Sequence, residues 1–276
     1  MRAPIPEFPQ RLVYLGTPSM AVPPLKTLVS AGFDVALVVS RVDKRRGRGS
    51  DLSPSPVKAA ALELGLPVSH SVDDALDVGA ELAVVVAFGQ LIKPHVLAVL
   101  PMVNIHFSLL PRWRGAAPVE RAILAGDQVT GTCLMQVDIG LDTGAVFDRV
   151  EVRVGSSSAD ELRNSLVQAG SAQLVRCLRS GLRDPQPQVG VPTTASKLTS
   201  DDFALDWNHS AVQLHRVVRL GAAWTTFRGR RLKVLGASVV DNELVLERVQ
   251  PEGKGPMSYA DWRNGVRWTP DDRLGS

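Results

Sequence analysis

The sequence predicts an α/β protein: a mostly parallel sheet with helices on both faces, followed by a small all-β unit. Three observations carry this. Short β-branched runs alternate with helical stretches through the first half, the order that builds a parallel sheet from βαβ units. One run, Leu82 to Ala87, is apolar on both faces, as a central parallel strand must be. Beyond a Pro- and Thr-rich stretch at 184–194 the pattern changes to short strands parted by turn residues. The expected organisation is a Rossmann-like domain over 1–183, a linker over 184–200 and a shortened, OB-like β-barrel over 201–276.

Arg11 to Leu15 reads as the first strand, and Gly16-Thr17-Pro18-Ser19 as the turn leaving it. Helical spacing follows from Val22 to Ala31 behind Pro23 and Pro24, with Gly32 as its stop. Val35 to Val39 is the second strand. Gly16 belongs to no Gly-x-Gly-x-x-Gly pattern, which disfavours a dinucleotide site. Ser55 to Leu64 opens on Ser-Pro and is rich in Ala and Leu, a helix. Leu66-Pro67-Val68 reads as a short strand, and Asp73 to Val78 as a turn or two of helix. Phe88-Gly89-Gln90-Leu91-Ile92 leaves the central strand as a loop with apolar walls, suited to a planar heterocycle.

Pro118 to Ala125 is a helix with proline at its start, and Thr130 to Val137 with Ala145 to Val152 a strand pair. Ser158 to Leu182 is a long amphipathic helix opened by Ser-Ala-Asp-Glu, either broken near Gly170 or running past it. Ser210 to Leu220 is a further helix. Trp224 to Phe227, Arg231 to Leu235 and Leu244 to Glu247 are short strands separated by Arg-Gly and Asp-Asn turns, the pattern of a small barrel.

The chemistry gathers on Met102 to Pro111, a short apolar run stopped by proline. Side chains alternate along a strand, so Asn104, His106 and Ser108 share one side near its carboxyl end, where open α/β sheets keep their sites. An amide donor beside an imidazole suits a reaction that builds an oxyanion while moving a proton. Taken alone, Asn-x-His also describes a turn histidine satisfied by local backbone. A second polar stretch, Met135 to Gly144, is a strand end running into a glycine-punctuated loop with Asp138 and Asp142.

Through these residues the chain resembles the folate-dependent formyltransferases. Asn104-x-His106, Ser108-Leu109-Leu110-Pro111, Arg114-Gly115-Ala116-Ala117-Pro118 and Gly140-Leu141-Asp142-Thr143-Gly144 match that family in order and spacing. The resemblance covers nearly the whole chain. It implies transfer of the formyl group of 10-formyltetrahydrofolate, without a metal, to the amino group of the methionyl residue on initiator tRNA. Asn104, His106 and Asp142 are then the catalytic trio, and Asp138 a loop-capping or exposed carboxylate. The folate is expected against Phe88, Gly89, Gln90, Leu91, Ile92, Ser108, Leu109, Leu110, Pro111, Asp138, Gly140 and Leu141. Gly16 and Thr17 border the acceptor side.

The same resemblance makes the loop from Arg41 to Pro54 an insertion that wedges against the tRNA acceptor stem. Arg48, between Gly47 and Gly49, is its chief contact, and Arg45 and Arg46 replace a Pro-Ala pair. Arg228, Arg230 and Arg231 are a second expected RNA contact. Between Val239 and Glu243 the chain lacks a longer insertion expected of the family. Leu220-Gly221-Ala222-Ala223 stands where a proline-aromatic turn is expected, so the barrel should be incomplete with an open edge.

Composition bounds the alternatives. The chain has 276 residues, 45% of them hydrophobic, and a formal net charge of +3. Between Arg41 and Lys58 six basic residues face two acidic ones, so the positive excess sits on one segment, as a loop meeting a polyanion requires. The longest strongly apolar run, Leu82 to Phe88, is too short to span a bilayer, and Met1 to Pro9 lacks the apolar core of a signal peptide. Cys133 and Cys177 read as small buried hydrophobes in a reducing compartment, the cytoplasm. A monomer is expected, with no membrane partner. Two other readings stand beside formylation of tRNA: formylation of a small amine such as a nucleotide-linked aminosugar, and a non-catalytic folate- or RNA-binding relative.

Overall fold

The structure is a computed structural model that describes residues 3–45 and 52–276. The chain runs through β1 (Arg11–Gly16), α1 (Val22–Ser30), β2 (Asp34–Val39), β3 (Lys44–Arg45), β4 (Leu52–Ser53), α2 (Pro56–Glu63), β5 (Val68–Ser69), β6 (Leu82–Val86) and α3 (Pro94–Val99). It continues with β7 (Met102–His106), β8 (Arg114–Gly115), α4 (Pro118–Ala125), β9 (Val129–Gln136), β10 (Val146–Arg153), α5 (Ala159–Ser180) and β11 (Thr194–Ala195). Then come α6 (Ala211–Val218), β12 (Trp224–Phe227), β13 (Arg230–Val240), β14 (Glu243–Pro251), β15 (Met257–Ser258) and α7 (Tyr259–Gly265). Two compact units result. One holds Met1–Gly115, Val129–Arg153 and Arg163–Thr194; the other holds Ala116–Gln128, Val154–Leu162 and Ala195–Ser276.

The first unit is built on a seven-stranded sheet in the order β10-β9-β7-β6-β1-β2-β5. The strands from β7 to β5 are parallel, while β9 runs antiparallel to β7 and β10 to β9. Strand order reverses between β1 and β6, the switch point at which such sheets open a crevice. β6 is buried at every residue, as its composition demands. It ends at Val86, one residue before the run of apolar residues does, because Ala87 turns into the left-handed region with φ +46°.

Alternation sorts the sheet's two faces. Val13, Leu15, Leu37, Val39, Ala83, Val85 and Met102 join Phe88 and Val96, Leu97 and Leu100 in one core. Ile105 points the other way, toward α5. A Cβ on Gly170 would lie 2.8 Å from the Ile105 Cγ2, so the glycine buys close helix–sheet approach and α5 passes it unbroken. At the start of α5 the Ser158 N–H donates to Glu161 Oε2 and the Glu161 N–H to Ser158 Oγ, the reciprocal cap its sequence foretells.

Residues 184–193 are not a free tether. Gln186 exchanges two backbone hydrogen bonds with Val146, both 2.8 Å, and the Thr193 N–H donates to Pro111 O at 3.2 Å. Arg114 and Trp113 donate in turn to Thr193 O and Oγ1, each at 2.8 Å. Proline and lack of periodicity resemble a linker because this strap bonds to loops and side chains instead of a regular ladder.

The second unit carries an open antiparallel sheet, β12-β13-β14-β15, with α6 and α7 packed against it. At the point where the sequence is shorter than expected of the family, β13 and β14 are joined at Asp241 and Asn242, both left-handed (φ +49° and +63°), a tight hairpin turn. The edge strand β12 is covered at its ends by single bridges, Ala204 to Trp224 and Leu274 to Phe227. Leu205, Leu214, Val218, Phe227, Leu232 and Trp262 are among its core residues. Among the described residues no helix is long and apolar enough to cross a membrane.

Candidate active site

β7 ends at His106, whose side chain is buried to 5% exposure. Asn104, two residues earlier on the same face, is half-buried, and its amide has no hydrogen-bond partner among the described residues. After β7 the chain tightens into a turn: the Ser108 hydroxyl donates to Arg112 O at 2.6 Å, and Trp113 takes a left-handed φ of +62°. This sets the Trp113 carbonyl 2.9 Å from His106 Nε2. A carbonyl can only accept, so Nε2 carries a proton, and Nδ1 is the nitrogen left to gain or lose one.

Nδ1 faces Asp142. The Nδ1 to Oδ2 distance is 3.6 Å, close enough for charge attraction and too long for a hydrogen bond. How Asp142 gets there follows from register. β9 pairs Gln136 with Val103 and Cys133 with His106, and the Val137 N–H donates to Met102 O. The loop after β9 therefore begins at the far end of β7 from His106 and folds back along the Met102, Asn104 and His106 face. Asp142 itself is left-handed, φ +50°. Its Oδ2 accepts from the Gly115 N–H at 2.8 Å. Asp138 caps its own loop by accepting from the Ile139 N–H.

The loop after β6 closes on the switch point. The Thr17 hydroxyl donates to Phe88 O at 3.0 Å, and Gly16 pairs with Val86. A Cβ on Gly16 would come within 2.9 Å of the Tyr14 ring and 3.2 Å of Val86 O, so no larger residue fits. Phe88 is in the core, while Gly89 and Gln90 are exposed, Leu91 is 85% exposed, and Ile92 packs on the core, as does Val137. Ile139 and Leu141 are also exposed, at 72% and 66%. Exposed apolar side chains on two loops that meet the same core cluster are what a flat heterocycle would cover.

Several sequence expectations land elsewhere. Ser108 and Leu110 are buried, Ser108 spent on its turn and Leu110 packed with Cys133, Met135 and Val146. Leu109 and Pro111 are half-buried, and Leu109 sits against Gly131. This run forms the turn that follows His106, with Leu109 and Pro111 partly exposed along it. Burial also pushes the Cys133 thiol up to about 11, as an inert core residue. Arg228 is committed within its own unit: Nε and Nη2 donate to Asp272 at 2.8 and 2.7 Å. Arg231 lies 4.0 Å over the Trp224 ring and reaches Ser200 Oγ, while Arg230 is exposed. Arg46 and Arg48 lie outside the described residues, and of Arg45 the backbone pairing with Leu52 is described.

Residues that sequence reasoning missed surround Asp142. Gln188 donates from Nε2 to Asp142 O and Gly144 O at 2.8 and 2.9 Å, and accepts at Oε1 from Arg114 Nε and Nη2. Its signal was polar residues inside a stretch otherwise built like a tether. Among the described residues no group of three or more His, Cys, Asp or Glu stands close enough to hold a metal ion.

Comparison with known proteins agrees with this architecture. The formyl transferase family matches residues 10–178, and the formyl transferase C-terminal domain matches 197–245. A methionyl-tRNA formyltransferase of Paenarthrobacter aurescens is 40% identical over 301 aligned positions, covering 95% of this chain and 98% of that protein. One of Frankia alni is 38% identical, covering 96% and 94%. An N-formyltransferase from Helicobacter canadensis, solved with folinic acid and dTDP-3-aminofucose, superposes with a TM-score of 0.64 at 16% identity, over 90% of this chain and 98% of that one. The last likeness shows the shared fold; the first two show more, and the chain belongs to the formyl transferase family, among its methionyl-tRNA formyltransferases.

Proposed function

We propose that the protein transfers the formyl group of 10-formyltetrahydrofolate to the α-amino nitrogen of methionyl initiator tRNA, with Asn104, His106 and Asp142 as its catalytic residues. The observation that carries the residue assignment is Asp142 folded back to within 3.6 Å of a His106 whose other nitrogen is already occupied. Formyl-folate supplies an activated one-carbon unit. The amine forms a C–N bond to the formyl carbon, the bond from that carbon to the folate nitrogen breaks, the amine gives up a proton, and the folate nitrogen gains one.

Asn104 donates its amide to the oxygen that becomes negative during attack, a role whose loss costs roughly 10²–10³ in rate. His106 works through Nδ1, the nitrogen that can change its protonation, while the Trp113 carbonyl holds the ring. Asp142 stabilises the imidazolium and fixes its orientation. Leu91, Ile92, Ile139 and Leu141 cover the pterin, and Gly16 and Thr17 border the acceptor side. The basic segment with Arg45, Arg46 and Arg48 meets the acceptor stem, Arg230 is a separate contact to the tRNA, and the reaction takes place in the cytoplasm.

The test is purified protein with 10-formyltetrahydrofolate and either methionyl initiator tRNA or a nucleotide-linked aminosugar. Formyl-methionyl-tRNA is the expected product. Formylation of the sugar alone would overturn the acceptor assignment, and activity of neither would favour a binding protein.

A further inference from the structure

We infer that Gln188 is a positioning residue for this reaction: its amide holds the Asp142 turn against His106. The inference rests on the catalytic reading of Asp142 given above. Asp142 is an unusual place to leave a catalytic carboxylate. Its loop starts at the wrong end of β7 and must travel back along the strand. Its own backbone is left-handed, a conformation non-glycine residues adopt at a cost, although aspartate tolerates it better than most. Something has to hold the turn there, and the carboxylate's bond from Gly115 N–H fixes only its tip.

Gln188 fixes the backbone. Its two amide hydrogens go to Asp142 O and Gly144 O, the carbonyls on either side of Thr143. The orientation of the amide is settled chemically. Both Arg114 nitrogens facing it are donors, so the atom toward Arg114 is oxygen and the atom toward the two carbonyls is nitrogen. Gln188 is held in its turn by the strap around it, through the Gln186–Val146 backbone pair and through Thr193 with Arg114 N–H and Trp113 N–H. The strap thus ties together the Asp142 turn, the residue before Gly115 and the residue whose carbonyl binds His106. Three polar contacts of the site meet on one segment that touches none of the reacting atoms.

A glutamate at 188 tests this closely, because it keeps the shape and the Arg114 pairing and replaces two donors by an oxygen facing two carbonyls. In single-turnover formylation, Gln188→Glu should slow transfer by about 10²-fold, the loss typical of a small misplacement of a reacting group, with KM for 10-formyltetrahydrofolate and for methionyl-tRNA unchanged. The decisive measurement is the double-mutant cycle with Asp142→Ala. Once the carboxylate is gone its placement no longer matters, so the double variant should be no slower than Asp142→Ala. In an Asn104→Ala background the loss from Gln188→Glu should instead persist. Gln188→Met, which removes the donors without adding charge, repeats the cycle if the glutamate variant does not fold.

The outcomes separate. Asp142→Ala slow with Gln188→Glu at the wild-type rate overturns the inference and leaves the catalytic reading standing. Losses that multiply in the double variant also overturn it, since Gln188 would then act elsewhere. Asp142→Ala at the wild-type rate removes the reading beneath it.

Discussion

Asp142 and Asp272 are both carboxylates set beside a cationic or basic partner, and they are held in opposite ways. Asp272 is saturated: both its oxygens accept from Arg228, and Oδ2 also accepts from the Thr269 N–H and hydroxyl at 2.7 and 2.9 Å. Asp142 takes one backbone N–H and stands 3.6 Å from its histidine. A saturated pair has nothing left to offer and serves to close a loop. A pair held short of contact, with the turn that carries its carboxylate fixed through backbone carbonyls, keeps room for a proton to move.

Replacing the partner at the loose pair, His106→Ala, should cut formylation by roughly 10²–10⁴ when assayed well below the variant's melt, which loss of a buried, hydrogen-bonded ring also lowers; near wild-type turnover would erase the distinction. Asn104→Ala should follow, at roughly 10²–10³ in kcat, with an unchanged melt. At the tight pair the outcomes reverse. Asp272→Asn should lower the melting temperature and leave kcat intact below the melt.

The tight pair also has a pH signature. Arg228 and the Thr269 donors hold the Asp272 carboxyl well below the usual carboxylate range. A depressed folded-state value means that its stabilising contribution is complete above the ordinary carboxylate pKa, about 4, and is lost as pH falls toward the lower folded value. The melting difference between wild type and Asp272→Asn should therefore be constant near neutrality and shrink below about pH 4. A constant difference throughout would mean that the pair acts through packing. The smallest effect belongs to RNA binding. Arg230→Ala should reduce the slope of log affinity for tRNA against log salt by about one, and Arg228→Ala should leave that slope alone because its guanidinium is already spent.

Much of the fold was legible because its segments obey one period each. Pro118–Ala125 emerges with the bounds its proline start and apolar spacing imply, and the buried run at Leu82 reads as a central strand because nothing polar interrupts it. Asn104 and His106 share a face by alternation alone. The distances between them and Asp142 were beyond reach, since a loop that reverses along its own sheet leaves no periodic trace. Gln188 was hidden for a related reason: its partners are carbonyls, which every residue has, so no motif marks them. Arg228 looked like a free cation because its partner lies 44 positions on in sequence. Gly170 allowed two readings, and packing against Ile105 decided between them.

The hairpin at Asp241 and Asn242 offers an experimental handle. The tip of this turn is solvent-exposed. Closing a longer loop costs only about 0.6 kcal/mol per doubling of its length. A fluorophore-bearing peptide spliced between these two residues should leave the sheet's pairing as it is, giving the second unit a label that replaces no residue assigned to chemistry.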